Sequence, residues 1–563
     1  KMNPYYLTLV LYLFLIYWLL VFVLERKGIL ERYNISAIGP ILMIRTQRGG
    51  RLLERVSKGE ITERFWRAYA NIGTLLMIIS MAFMFAIVVF AVIAMFMVRP
   101  EPTVIHEPRN WLLIPGLNEF IPMIAWVGFV IALVVHEFSH AILSTVEKIK
   151  VKSMGILMCL VPIGAFVEPD SEQLYGVKGD GDRDRDKDGD GSGEKDRNRD
   201  ESIDANAKKV ATPSERTRIL SAGIMGNYCV ALVAFLLFFA LLFTVQPVNE
   251  NVLHVHDVVI GSPAEYLGIE LGMIITMVNG SPVTSVNELN RALVEQDEFR
   301  VTVLDRDGRE ITLVAADGIK IRGVMLLGVE ESLPAYKAGL AEGMQIIKID
   351  GTRITDHDDF LAFMADTTPG QAIELEVDDK NIITVVLAES PFHDNRGFLG
   401  VRVANSALGI AVAEFHAREY LDGLRNMPHA FMTLSPGLWL DTWLRLTIMP
   451  IAPIPVGFGG FNPVLAHLYE PIGATAILGD GIFLVIDMLF WIGWINLFVG
   501  LFNCLPAIPL DGGHVFREML NPVLRLGIKG EKQKEKIATA ITAFISVFIF
   551  GSIVLMIAGP FVL

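Results

Sequence analysis

The chain has 563 residues, 52% of them hydrophobic, a formal net charge of −14 and three cysteines. That length exceeds one ordinary domain, the apolar share is that of a membrane protein, and the acidic balance argues against nucleic acid as a partner. Cys159, Cys229 and Cys504 all lie in apolar stretches, which excludes a disulfide framework and a Cys-x-x-Cys metal site.

Six apolar runs reach the roughly twenty residues that a tilted helix needs to cross a bilayer. They cover 5–24, 72–98, 121–145, 219–245, 482–505 and 537–558. The first reads as a retained anchor, because no small-residue cleavage site follows it. Arginines and lysines from Arg26 to Arg67, then Lys148, Lys150 and Lys152, then Arg525 to Lys536 mark cytoplasmic ends. The three groups agree if the spans alternate from an outer N-terminus. The region after the fourth span then lies outside the cytoplasm.

The third span carries His136-Glu137-Phe138-Ser139-His140. Histidines four apart share one helical face and can reach one zinc ion, and the glutamate between them can act as general base. An acidic group at the centre of a membrane helix costs roughly 2.5–3.5 kcal/mol even on the lenient insertion scale, and a metal supplies the compensation that the span itself does not.

Between the third and fourth spans, residues 179–200 alternate Asp and Gly with Arg and Lys. This composition predicts a solvated linker within an acidic insertion at about 170–213. Asp184 to Ser192 fit the start of an EF-hand loop, but Lys195 stands where its bidentate glutamate belongs.

After the fourth span a repeat appears. Gly261-Ser-Pro-Ala-Glu-Tyr-Leu-Gly-Ile precedes Gly272-Met-Ile-Ile-Thr-Met-Val-Asn-Gly280, and Ser332-Leu-Pro-Ala-Tyr-Lys-Ala-Gly-Leu precedes Gly343-Met-Gln-Ile-Ile-Lys-Ile-Asp-Gly351. Each copy reads as a short helix, a turn glycine, an apolar strand and an Asx-Gly hairpin turn. The pattern resembles tandem PDZ domains, which take up peptide termini or extended segments. His254 and His256 alternate as on a strand and read as an exposed domain edge. Residues 432–461, broken by four prolines, read as either a re-entrant hairpin or an interfacial segment.

The fifth span ends in Asn503-Cys-Leu-Pro-Ala-Ile-Pro-Leu-Asp-Gly512. Its prolines break the helix and let Asp511 turn a carboxylate into the bundle as a third metal ligand beside His136 and His140. His514, just beyond, reads as a capping or packing residue.

The intramembrane His-Glu-x-x-His, the proline-rich Leu-Asp-Gly segment and the PDZ-like repeat together resemble the site-2 protease family and organise most of the chain. The resemblance implies one zinc ion on His136, His140 and Asp511, Glu137 as catalytic base, and Asn503 assisting substrate or the transition state. Gly223-x-x-x-Asn227 resembles a further family motif, whose asparagine would hold substrate or bond between helices. The apolar segment 155–168 resembles the family's membrane-embedded β-hairpin, whose Gly164-Ala-Phe-Val167 strand would pair with an unwound substrate, with Gly164 and Phe166 as its contacts.

The expected fold is therefore a polytopic α-helical membrane protein with two β-rich PDZ-like domains. Residues 1–120 form an N-terminal membrane region and 121–250 the first part of the catalytic core. The PDZ-like domains cover 251–318 and 319–404, an amphipathic region covers 405–480, and 481–563 complete the core. The expected activity is zinc-dependent cleavage of transmembrane protein substrates within the lipid bilayer, after a first cut by another protease. The active site would lie toward the cytoplasm and the PDZ-like domains outside. A metallopeptidase for soluble peptides, a non-catalytic PDZ scaffold and a transporter are weaker readings: Asp511 is embedded, Glu137 is intact, and no inverted repeat of spans is present.

Overall fold

The computed structural model describes residues 4–562 except 47–48, 101, 112–113, 160, 176–208, 294–297, 306–308, 316–322, 378–380, 394, 407, 434, 453–456, 462 and 529. The acidic insertion and its EF-like loop thus lie largely outside the described residues. The chain forms two compact units, Lys1–Phe238 with Met488–Leu563, and Phe239–Asp487.

The first unit begins with helix α1, Pro4–Arg26. The basic loop after it is not simply a loop. Ile35–Ile38 (β1) and Ile41–Thr46 (β2) form a hairpin turned by Gly39-Pro40, and β2 pairs with Val151–Cys159 (β3). Helix α2 covers Glu60–Val98, and α3, Trp126–Val146, carries the histidine motif. The hairpin expected at 155–168 is present as β3 and Val161–Pro169 (β4), giving a sheet in the order β1-β2-β3-β4. A one-turn helix, Ser171–Tyr175, follows β4, and α4 covers Pro213–Leu242.

The second unit holds two β modules. The strands are β5 (Asn251–Val258), β6 (Ile274–Val278), β7 (Arg300–Leu304), β8 (Glu310–Val314), β9 (Val324–Val329), β10 (Gln345–Ile349), β11 (Ala372–Val377), β12 (Asn381–Val386), β13 (Val401–Val403) and β14 (Ile410–His416). One sheet runs β8-β7-β6-β5-β14 and the other β12-β11-β10-β9-β13. Both Asx-Gly turns take left-handed dihedrals at both residues, with φ of 52° and 78° at Asn279-Gly280 and 47° and 76° at Asp350-Gly351, as a two-residue hairpin turn requires. Helices α5 (Val286–Leu293) and α6 (His357–Ala365) bury Leu289, Leu293 and Phe360 against their respective sheets.

Two expectations change here. The first module does not end near 318, because its sheet is closed by β14, from beyond the second module. The second module is inserted into the first. For the same reason His254 and His256 are not on an edge: β5 is paired on both sides, by β6 and β14. After β14 come α7, Ala417–Met432, and α8, Pro436–Ile448. At about 1.5 Å per residue the 13-residue α8 is too short to cross a hydrocarbon core of roughly 30 Å.

The chain returns to the first unit through α9, Gly481–Asn503, followed by α10, Asp511–Arg525, and α11, Glu531–Val562. Five helices among the described residues are long and apolar enough to span a membrane: α2, Met123–Val146 (α3 with its leading turn), α4, α9 and α11. The protein is an integral membrane protein. The first of the six expected spans is helical, as α1, but is not among those five. Met77 and Met81 of α2, Leu220 and Ile224 of α4, Cys504 and Val515 form one buried cluster. Buried Glu147 takes a hydrogen bond from Arg218 (2.7 Å) and lies 3.5 Å from Arg67, while Arg216 of α4 grips Glu518 of α10 with two nitrogens at 2.8 and 3.1 Å. Bidentate, partly buried pairs of this kind fix helix register better than single surface contacts.

Candidate metal centre and active site

Helical spacing brings His136 and His140 to one face of α3, and the break before α10 brings Asp511 to meet them. Nε2 of His136 lies 3.0 Å from Oδ2 of Asp511, Nε2 of His140 lies 3.3 Å from it, and the two Nε2 atoms are 3.1 Å apart. Tetrahedral ligands about 2.0–2.1 Å from a zinc ion would be separated by about 3.3 Å. The triangle has the size of one face of such a site.

The hydrogen bonding points the same way. Oδ2 of Asp511 is fully buried, and with the histidine protons on Nδ1 it has no hydrogen-bond donor among the described residues. An orphaned buried acceptor costs about 1–3 kcal/mol, and a charged one more. A cation bound to the three atoms would remove that cost, so the donor set fits a zinc ion. Among the described residues this is the one cluster of three or more such side chains able to hold a metal.

Glu137 faces the other side of the cleft, where its Oε2 accepts a hydrogen bond from the backbone N–H of Val167 at 2.8 Å. That bond also sets the phase of β4. Along a strand, alternate residues turn their backbone groups to opposite edges. Since Val167 points away from β3, Ala165 does too, whereas Gly164 and Phe166 turn their backbone toward β3. The unpaired edge near Glu137 therefore belongs to Ala165 and Val167, one residue out of step with the two expected from sequence. Phe166 packs across the sheet, and a Cβ on Gly155 would come within 2.8 Å of its ring.

Helix α4 approaches from the remaining side. A Cβ on Gly223 would stand 2.5 Å from Nε2 of His140 and 2.8 Å from Cε1 of His136, so only glycine lets the helix pass this close. Asn227 is fully buried, with Nδ2 3.5 Å from Nδ1 of His136. Asn503 donates from Nδ2 to the Val499 carbonyl at 3.0 Å.

A cleft of about 380 Å³ unites His136, Glu137, His140, Val167, Asn503 and Asp511. Gly164, Phe166 and Asn227 do not line it. Leu174 and Tyr175 of the one-turn helix do, and so does His514, with the Tyr175 and His514 rings 6.2 Å apart. Tyr175 escaped the sequence reading because it belongs to no motif. His514 sits one helical turn after Asp511, and that spacing was the available signal.

The chain is 24% identical over 189 residues to zinc metalloprotease Rip1 of Mycobacterium tuberculosis, covering 32% of this chain and 46% of that protein. It is 25% identical over 336 residues to the regulator of sigma-E protease RseP of Escherichia coli, covering 54% of this chain and 69% of that protein. The chain spans about half the length of the first of these relatives. The match to the family described as peptidase family M50 runs over residues 124–549, from the start of the histidine helix through the Asp511 segment into the last helix. With that match covering most of its length, the chain belongs to peptidase family M50.

Proposed function

We propose that the protein is a zinc-dependent intramembrane endopeptidase of the site-2 protease type, with one zinc ion held by His136, His140 and Asp511. The observation that carries this reading is the triangle of three ligand atoms, one an orphaned carboxylate oxygen, set among membrane-spanning helices. Bound there, zinc supplies Lewis acidity toward water and the scissile carbonyl.

The chain's own residues do the rest. Glu137, oriented by the Val167 N–H, accepts a proton from the attacking water as its oxygen bonds to the carbonyl carbon. It returns that proton to the leaving nitrogen as the C–N bond breaks. The outward backbone groups of Ala165 and the Val167 carbonyl hold an unwound substrate segment as an added strand, which answers the need of a transmembrane helix to expose its peptide bonds before cleavage. Asn503 assists substrate or the transition state from the cleft wall.

The two β modules act as PDZ domains that select substrates. A groove of about 600 Å³ in the second module, between α6 and residues 397–401, is lined by Phe360, Leu361, Met364, Phe398 and Arg396 and suits an apolar peptide terminus. The lysine and arginine counts support an active site toward the cytoplasm and modules on the outer side, where they would exclude substrates with bulky outer domains.

The deciding experiment combines metal analysis with cleavage of a single-span model substrate in detergent or proteoliposomes. Zinc near one equivalent and cleavage inside the span are expected. Purified, folded protein that cuts soluble peptides but no spanning substrate would overturn the intramembrane reading.

A further inference from the structure

Ile219, Gly223 and Asn227 stand at intervals of four on α4 and so form one stripe along it. The stripe meets the histidine pair at three points. The Ile219 carbonyl lies 2.7 Å from Nδ1 of His140, Gly223 leaves the space above both rings, and the Asn227 amide faces Nδ1 of His136 at 3.5 Å. A neutral imidazole carries one N–H. If Nε2 is to give its lone pair to a metal, the proton sits on Nδ1 and needs an acceptor. For His140 the Ile219 carbonyl is that acceptor.

For His136 the amide as oriented presents its NH2 group, so donor would face donor. Its Oδ1 meanwhile is buried without a hydrogen-bond partner among the described residues. Side-chain amide oxygen and nitrogen have nearly the same shape, and their assignment follows the hydrogen-bond network. A half-turn of the Asn227 amide resolves both conflicts, bringing Oδ1 to Nδ1–H of His136 and ending the isolation of a polar atom on a fully buried residue.

We propose that Asn227 is a positioning residue for the metal centre: its Oδ1 accepts the Nδ1–H of His136 and so fixes the tautomer and ring plane that aim Nε2 at Asp511 and His140. Helix α4 then supplies an acceptor for each histidine, one from its backbone and one from a side chain, with glycine between them. This rests on the zinc reading above and differs from the expectation that Asn227 holds substrate. Acceptors behind ligand histidines set tautomer and basicity, and losing one costs about 10–100-fold in metal affinity or activity.

The test uses the full chain in detergent, with zinc affinity measured by competition against a chromophoric chelator. Asn227→Leu keeps the branched shape and the number of heavy atoms without an acceptor, and Asn227→Asp keeps the acceptor. The Leu variant should bind zinc about 10–100-fold more weakly, and the Asp variant should stay within about threefold of the natural protein. Cobalt substituted for zinc should give an altered visible spectrum in Asn227→Leu and an unchanged one in Asn227→Asp. If Asn227→Leu does not fold, the Asp variant decides alone, because a tenfold loss there overturns the proposal. Unchanged zinc affinity in a folded Leu variant, with a raised KM, would overturn it in favour of substrate binding. Natural protein that takes up no zinc would overturn the metal reading itself, and this inference with it.

Discussion

The two units of this protein hold their candidate sites in opposite ways. In the helical unit the candidate ligand atoms of His136, His140 and Asp511 lie about 3 Å apart, the histidines on an apolar helix and Asp511 at the start of an amphipathic one. In the β-rich unit no such cluster exists among the described residues, and what distinguishes the modules is the state of a surface groove. The first module has its helix tied to β14 and to the turn before it, with Nδ2 of Asn290 bonded to the Asn405 carbonyl at 3.0 Å and the Val286 N–H to Glu414 at 3.2 Å. The second carries a groove between α6 and residues 397–401. A point-like site tolerates no substitution, whereas a groove can be tuned or removed without touching chemistry.

The comparison breaks if substitutions in the helical unit prove mild. The largest effect is expected for Asp511→Ala, which should lose most bound zinc together with activity, as should His136→Ala and His140→Ala, because each removes a primary ligand; metal content and cleavage are measured on the same samples. Next comes Glu137→Gln, which should keep zinc while cleavage falls by about 10²–10⁴-fold. A variant that cleaves normally with zinc bound would contradict the assignment of the base.

The β-rich unit should respond differently. Excision of residues 251–416, bridged by a flexible linker, should leave a short-stub substrate cut within a few-fold of the natural rate and admit a substrate whose outer domain is intact. Excision of 252–404 alone should yield poorly folded protein, because β14 would lose its partner β5. Leu361→Asp, in the open groove, should weaken binding of a peptide with a free apolar terminus by about tenfold, read by fluorescence anisotropy, while Asn290→Ala leaves that binding unchanged.

The smallest effect concerns His254. Burial, and secondarily the neighbouring His256, push its pKa down to about 4. The unfolded chain takes up this proton near pH 6.5 and the folded one does not, so the stability of the first module should fall as pH drops from about 6.5 to 4. His254→Gln should flatten that slope in limited proteolysis of the full chain.

How much of this was legible in the sequence follows the same division. The histidine pair, Glu137 and Asp511 were readable because a buried charge in an apolar helix demands a partner and helical spacing says which side chains can share one. The Asx-Gly turns were readable because few sequences satisfy two left-handed residues in succession. What failed to show was pairing between distant segments. Residues 35–46 read as a basic loop, although half of the four-stranded sheet comes from them, and β14 reads as the start of an amphipathic region. A strand's pattern records which of its faces is buried, not which strand lies beside it. The choice of Ala165 and Val167 over Gly164 and Phe166 was hidden similarly, since backbone phase depends on where Glu137 stands.

The nesting of one module inside the other has a consequence for biosynthesis. When a ribosome has finished β5 through β8, the first sheet still lacks β14, and residues 315–409 must be made before it appears. At about 5–20 residues per second this leaves β5 with an unpaired edge for several seconds, the interval in which strand edges recruit other chains. The second module, whose strands are contiguous in sequence, can complete its sheet during that wait. The module begun first is thus the one finished last, and nascent chains stalled between β9 and β14 should be the aggregation-prone species during synthesis.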